Sequence, residues 1–356
     1  MITLLQLLKF ATEQGASDLH IVAGSQPALR VDGRIVRVKT DKLTKEQTRR
    51  LCYSVLNDYQ KSRFEEKKEL DFSFDVKNMA RFRSNYFFQR NAVSGVFRRV
   101  PVFVPKYEDL GLPSAVAELC NLPYGLVLVT GPTGSGKSTT IASLVDKINQ
   151  EKWGHIITLE DPIEFLHTHK NCIVNQREVG TDTETYQSAL KHILRQDPDY
   201  CMIGELRDHE TIETGLTLAE TGHLVFATLH TNSAVQTINR LVSVFPADQQ
   251  DRIRVMLSFT LQGVISQRLL PTVGGGRCVA IEFLVLSQNI RNLIRENKLH
   301  QIQSMMQVGQ ENTGMVTMNQ SLLSLLMQRK IEFKSAFGAS PDPDQLNNMI
   351  KKAGLL

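Results

Sequence analysis

The architecture of this chain turns on residues 125–140, Gly-Leu-Val-Leu-Val-Thr-Gly-Pro-Thr-Gly-Ser-Gly-Lys-Ser-Thr-Thr. Leu126 to Thr130 are apolar or β-branched and bounded by glycines, which reads as a short strand buried on both faces. Gly131 to Ser138 fit G-x-x-x-x-G-K-[ST], the spacing of a phosphate-binding loop. Gly131, Gly134 and Gly136 let the backbone turn tightly and aim its N–H groups at one anion. Ile141, Leu144, Val145 and Ile148 then begin a helical stripe, whose positive N-terminal end faces the same anion. The candidate nucleotide contacts are Gly131, Pro132, Thr133, Gly134, Ser135, Gly136, Lys137, Ser138 and Thr139. Lys137 reaches the outer phosphates and Ser138 holds Mg²⁺. A chance glycine turn is the competing reading, and the order strand, loop, helix argues against it.

Hydrolysis of a magnesium nucleotide also needs carboxylates. Ile156 to Leu159 lead into Glu160, Asp161 and Glu164, with Pro162 ending the strand. Tyr200 to Ile203 lead through Gly204 to Glu205. Acids leaving the C-terminal edge of such strands face the crevice where ligands bind, and solvated loop acids are the alternative. Strands of this kind usually end Asp-Glu, and Gly204 stands at the Asp position. Glu205 therefore acts alone or shares the work with Glu160, Asp161 and Glu164, and the base is left open among them. Glu205 is also a candidate Mg²⁺ ligand through water, and Arg207-Asp208 reads as a surface pair. His223 and His230 bracket the apolar run Leu224 to Leu229. Opposite ends of an extended strand are too far apart to share one phosphate or metal. His230, beside Thr228 and Asn232, is assigned to the γ-phosphate, and His223 to a helix–strand turn or a subunit contact.

At 356 residues the chain exceeds one ordinary core, which implies two domains. Hydrophobic content of 42% and charged content of 22% describe a globular protein. A net charge of +4 is mild, and no aromatic–basic strand face is evident, which argues against a nucleic-acid motor. The five cysteines lie far apart without a C-x-x-C pair, which argues against a zinc ribbon and a disulfide framework and points to reduced, mostly buried thiols in a cytoplasmic protein. No run is long enough for a membrane span and no secretory signal opens the chain.

Residues 1–100 read as an α+β domain. A helical stripe begins at Ile2 and ends near Gly15, and strands follow at 18–22, 28–31 and 35–38. Asp32-Gly33 is a hairpin signal. Thr44 and Gln47 form a capping box, and strands are expected at 70–76, 81–90 and 93–100. Arg81, Arg83 and Asn85 share one strand face. They are either a solvated basic surface or arginine fingers for a neighbouring chain's nucleotide, with Arg98 and Arg240 as further candidates. Prolines punctuate a linker at 101–112. Residues 113–356 then alternate strands at 126–130, 155–159, 200–203 and 224–228 with helices, as in a parallel α/β sheet. From about Ala247 the pattern is mostly helical, with one added strand at 277–286.

With these boxes in place the chain resembles the hexameric ATPases of the secretion superfamily, and within them the type IV pilus retraction ATPases. The resemblance rests on residues 15–20, 131–139, 159–165, 174–180, 194–199, 204–208 and 219–232, and on Ile290 to Glu296. The extending members carry an added N-terminal domain and a four-cysteine motif, which this chain lacks. An accessory retraction paralogue and an assembly or secretion ATPase are the alternatives within the superfamily. The resemblance implies a PAS-like first domain, a RecA-like second domain and a homohexamer. It implies ATP and Mg²⁺ at subunit contacts, and Gly204 as the family pattern. It also implies a cytoplasmic motor peripheral to the inner membrane, acting on a platform protein, with membrane contact only through that partner. A paralogous retraction ATPase is the further partner the resemblance implies.

Overall fold

Thr3 opens the first helix, α1 (Leu4–Glu13), through a reciprocal pair of bonds with Gln6, and Gly15 follows its end in the left-handed region. The computed structural model describes residues 2–355 apart from 32, 78, 102 and 309–312. It divides into two units. One holds residues 1–103 with 162–166 and 180–182, and the other holds 104–161, 167–179 and 183–356.

The first unit continues with β1 (Asp18–Ile21), β2 (Ala28–Val31), β3 (Arg34–Arg37), α2 (Lys45–Tyr53) and α3 (Asp58–Lys67). It ends with β4 (Glu69–Val76), β5 (Ala80–Gln89) and β6 (Ala92–Val100). The strands form one antiparallel sheet in the order β3-β2-β1-β6-β5-β4. Thr44 and Gln47 cap α2 as the sequence implies. Helix α3 was not expected, although Asn57 and Gln60 cap it in the same way and were a readable signal. The hairpin joins Val31 to Arg34 with Gly33 at φ 79, while Asp32 lies outside the described residues. Alternation along β5 sends Phe82 and Tyr86 into an aromatic core with Phe64, Phe72 and Phe97. It leaves Arg83 and Asn85 exposed on the other face.

The second unit begins inside the stretch read as a linker. Tyr107 starts a short 3-10 turn, is buried in this unit's core, and donates its hydroxyl to the Pro113 carbonyl at 2.5 Å. Then come α4 (Ser114–Ala117), β7 (Gly125–Thr130), α5 (Lys137–Glu151), β8 (His155–Glu160), β9 (Ile173–Glu178), α6 (Tyr186–Ile193), β10 (Tyr200–Ile203), α7 (His209–Glu220), β11 (Leu224–Leu229) and α8 (Ala234–Ser243). The chain continues through α9 (Gln250–Thr260), β12 (Leu261–Pro271), β13 (Arg277–Val285), α10 (Gln288–Arg295), α11 (Ile302–Val308), α12 (Met318–Met327), α13 (Phe333–Ala339) and α14 (Pro343–Lys352). Seven strands make one sheet in the order β13-β12-β7-β11-β10-β8-β9. All neighbours are parallel except β12 with β13.

All four expected parallel strands are present, and β7 is buried at every position. Leu126 and Leu128 join one apolar cluster while Val127 and Val129 join the cluster under α5, so both faces are covered as the apolar run implied. Two strands correct the sequence reading. Residues 261–271 fall in the stretch from about Ala247 that the sequence reading expects to be mostly helical. The segment is a strand because β7 and β13 flank it on either side. Polar β9 escapes notice because it is an edge strand with Ile173 exposed.

Candidate active site

Gly131 leaves β7 at φ 141, and a Cβ there would stand 2.3 Å from the Gln267 carbonyl oxygen of β12. Only glycine fits that approach. Gly136, at φ 92, starts α5 from the left-handed region. Gln267 Nε2 donates to the Ser135 carbonyl at 3.2 Å and to Thr140 Oγ1 at 3.1 Å, and the Ser266 and Thr130 hydroxyls lie 2.8 Å apart. Strand β12 thus grips both ends of the loop. Gln267 was missed because its strand was missed. The signal available was the polar triplet Ser266-Gln267-Arg268 between the apolar pairs Val264-Ile265 and Leu269-Leu270.

Lys137 is 8% exposed, and its ammonium donates to the carbonyls of Gly131 at 2.8 Å and Pro132 at 3.1 Å. His230, at the end of β11, brings Nδ1 to 3.5 Å from Lys137 Nζ and Nε2 to 3.3 Å from Glu205 Oε1. A neutral ring protonated on Nε2 satisfies both contacts, accepting from the ammonium and donating to the carboxylate. Glu205 Oε2 accepts from Arg207 Nε at 2.8 Å, and Arg207 Nη1 lies 3.3 Å from Asp161 Oδ2. The Glu205 hydrogen bond pushes the Arg207 guanidinium pKa up. Asp161, Arg207, Glu205, His230 and Lys137 therefore form a continuous polar row along the C-terminal ends of β8, β10 and β11 and the start of α5. Arg207-Asp208 is not a simple surface pair. Arg207 belongs to this row, and Asp208 caps α7 by accepting from the Thr211 N–H.

Glu160 is 5% exposed and accepts from Thr158 Oγ1 at 2.7 Å and Gln176 Nε2 at 3.1 Å. Gln176 Oε1 in turn accepts from the His167 N–H at 2.8 Å. Glu164 lies in the 162–166 segment grouped with the first unit. Gly204 is glycine for lack of room, because a Cβ would stand 2.6 Å from the Tyr186 hydroxyl. That hydroxyl donates to the Leu159 carbonyl at 2.9 Å, and the Gly204 carbonyl accepts from the Thr228 hydroxyl. An aspartate side chain at 204 has no space.

His223 occupies the turn between α7 and β11, with Nδ1 3.0 Å from the Leu218 carbonyl, at the other end of the strand from His230. Arg240 is in the last turn of α8 and makes no described contact with Lys137, Glu205 or His230. In the first unit Arg81 pairs with Asp75 at 2.8 Å, and Arg98 pairs at 2.8 Å with Asp18, which is 4% exposed. Arg83, directly opposite Arg98 in register, is exposed.

The chain matches the family model described as "Type II/IV secretion system protein" over residues 1–275. It is 50% identical over 331 residues to a Pseudomonas aeruginosa protein named "Type IV pilus retractation ATPase PilT", covering 93% of this chain and 96% of that one. It is 41% identical to "Type IV pilus ATPase PilU" of the same organism, covering 97% and 91%. Its fold superposes with a TM-score of 0.93 on a structure titled "Crystal Structure of the Pilus Retraction Motor PilT and Bound ADP", at 53% identity over 98% of this chain and 100% of that one.

Proposed function

Because the chain belongs to the type II/IV secretion system protein family, we propose that it is an ATP-hydrolysing motor that powers type IV pilus retraction. The observation that carries this reading is the unbroken row Lys137–His230–Glu205–Arg207–Asp161 beside a complete phosphate-binding loop. The greater identity to the retraction ATPase than to the PilU relative favours retraction over the accessory role.

Backbone N–H groups of residues 131–139 and the start of α5 hold the phosphates, and Lys137 neutralises the outer ones. Ser138 and Glu205 offer hard oxygen donors that suit Mg²⁺, with Glu205 acting through water. The metal, when bound, spreads phosphate charge. His230 donates or withdraws a hydrogen bond as the γ-phosphate comes and goes, because its two nitrogens already bridge Lys137 and Glu205. The carboxylates divide the remaining work. Glu160, buried and doubly hydrogen-bonded, orients the site. Glu205, Asp161 and Glu164 supply the groups that position and deprotonate water. Arg81, Arg83 and Arg98 act on a neighbouring copy's nucleotide in a homohexamer. The ring works in the cytoplasm on an inner-membrane platform protein, alone or with a paralogous ATPase.

Lys137→Ala tests the reading. The purified protein is expected to lose at least 100-fold in phosphate release, and cells are expected to keep pili they cannot retract. Unchanged turnover ends the proposal.

A further inference from the structure

Glu282 is a buried carboxylate in the middle of β13, 2% exposed, and the phosphate chemistry does not use it. Its Oε1 accepts the backbone N–H of Ala234 at 2.7 Å, and the backbone N–H of Met318 also bonds to it. Ala234 and Met318 are the first residues of α8 and α12. A first-turn N–H has no acceptor inside its own helix, so one carboxylate completes two helix starts. The two positive helix ends, with Arg268 nearby, are what allow a charge to sit there. Burial pushes its pKa up and these N–H groups oppose the shift.

The two helices lead to different places. Helix α8 begins four residues after His230, and that short connection is stiff. Thr231 and Thr237 hydroxyls lie 2.6 Å apart, Gln236 Oε1 accepts the Asn232 N–H at 3.2 Å, and Ser233 caps the helix. Helix α12 is the first of the helices that pack with the outer ends of β12 and β13 in a separate apolar cluster. Its start is stitched to β13. Phe283 and Val316 exchange two backbone bonds at 2.7 and 3.0 Å, and the Ile281 N–H donates to Ser321 Oγ at 3.0 Å.

We propose that Glu282 is a positioning residue that joins the His230 loop to the C-terminal helices through one carboxylate serving both helix starts. A shift of His230 on nucleotide binding or hydrolysis pulls the Ala234 N–H, moves the carboxylate, and releases or tightens α12. This rests on the role proposed for His230 above.

Glu282→Gln is the first test. Glutamine keeps one acceptor oxygen but places an NH₂ group against the other helix start, so it can serve only one helix. Ala234→Pro is the second. It leaves the carboxylate intact and removes one N–H at a position where proline is tolerated, after Ser233 in extended backbone. Both are read in the full-length protein by steady-state ATP turnover and by hydrogen exchange of residues 318–327 with and without nucleotide. The expected result is a five- to tenfold fall in kcat with KM for ATP within twofold of wild type. The nucleotide-dependent change in exchange at 318–327 should be lost in each variant. A wild-type kcat, a retained exchange response, or an equal change in kcat and KM in a folded variant overturns the proposal. Should only one variant fold, that variant decides. If wild type itself does not hydrolyse ATP, the functional reading fails instead, so the two failures are distinguishable.

Discussion

Gly204 shows how one residue resolves a question its neighbours pose. The sequence has glycine where an acid is usual, and the Tyr186 hydroxyl fills the space a side chain would take. Gly204→Ala is therefore expected to lower stability by about 1–3 kcal/mol through overpacking and to displace the Leu159 carbonyl that leads into Glu160. Urea unfolding checks this. Adding Tyr186→Phe, which removes the offending oxygen, should recover part of the loss. If the double variant is no more stable than Gly204→Ala alone, the steric account is wrong. The same scale explains why three thiols are inert. Burial pushes the pKa of Cys52, Cys120 and Cys201 up to about 12, so they remain thiols at neutral pH.

At the scale of elements, the connection from β8 to β9 is strapped onto α5. Lys170 Nζ bonds both oxygens of Asp146 at 2.7 and 2.8 Å, and Asn149 bonds the Thr168 carbonyl at 2.7 Å and the Lys170 N–H at 3.1 Å. His167 lies beside this strap. Burial lowers its pKa to about 4, with Asp146 opposing and Lys170 assisting the shift. Because the folded value lies below the unfolded value of 6.5, the unfolded chain takes up the proton first. The stability contribution is therefore complete above pH 6.5 and is lost as pH falls from 6.5 towards 4. The loss is at most about 3 kcal/mol at 1.36 kcal/mol per pH unit. His167→Gln is expected to flatten the slope of Tm against pH in that window. An unchanged slope would refute the assignment. The strap ties Thr168 and Lys170 to the helix that starts at Lys137.

For the whole molecule, the arginines of the first unit set the expectation. Arg81 and Arg98 are paired with Asp75 and Asp18, and Arg83 is exposed opposite Arg98. If an arginine acts on a neighbouring copy, Arg83→Ala should cut turnover by a factor on the order of 10³ without weakening nucleotide binding to the loop. Mixing it with the Lys137→Ala protein should then restore measurable turnover, because some mixed contacts combine an intact loop with an intact arginine. Malachite-green assays of the two proteins, alone and mixed, check this. Mixtures no more active than the separate proteins would rule out a shared pocket.

Much was legible before any coordinates. The phosphate loop, the four parallel strands, the antiparallel sheet of the first unit and the cap at Thr44 follow from local spacing, turn chemistry and side-chain period. Those are properties of neighbouring residues, so a linear reading suffices. His230 follows directly on the last residue of β11, a position its place after the apolar run implies. Strand β12, the grip of Gln267 on the loop, the row from Asp161 to Lys137 and the double cap at Glu282 were not legible. Each depends on residues distant in sequence meeting in space. The expectation of a mostly helical stretch after Ala247 fails at 261–271 because β7 and β13 offer that segment strand partners on both edges. Local chemistry fixed which residues could bind phosphate, and only long-range packing decided which of them touch.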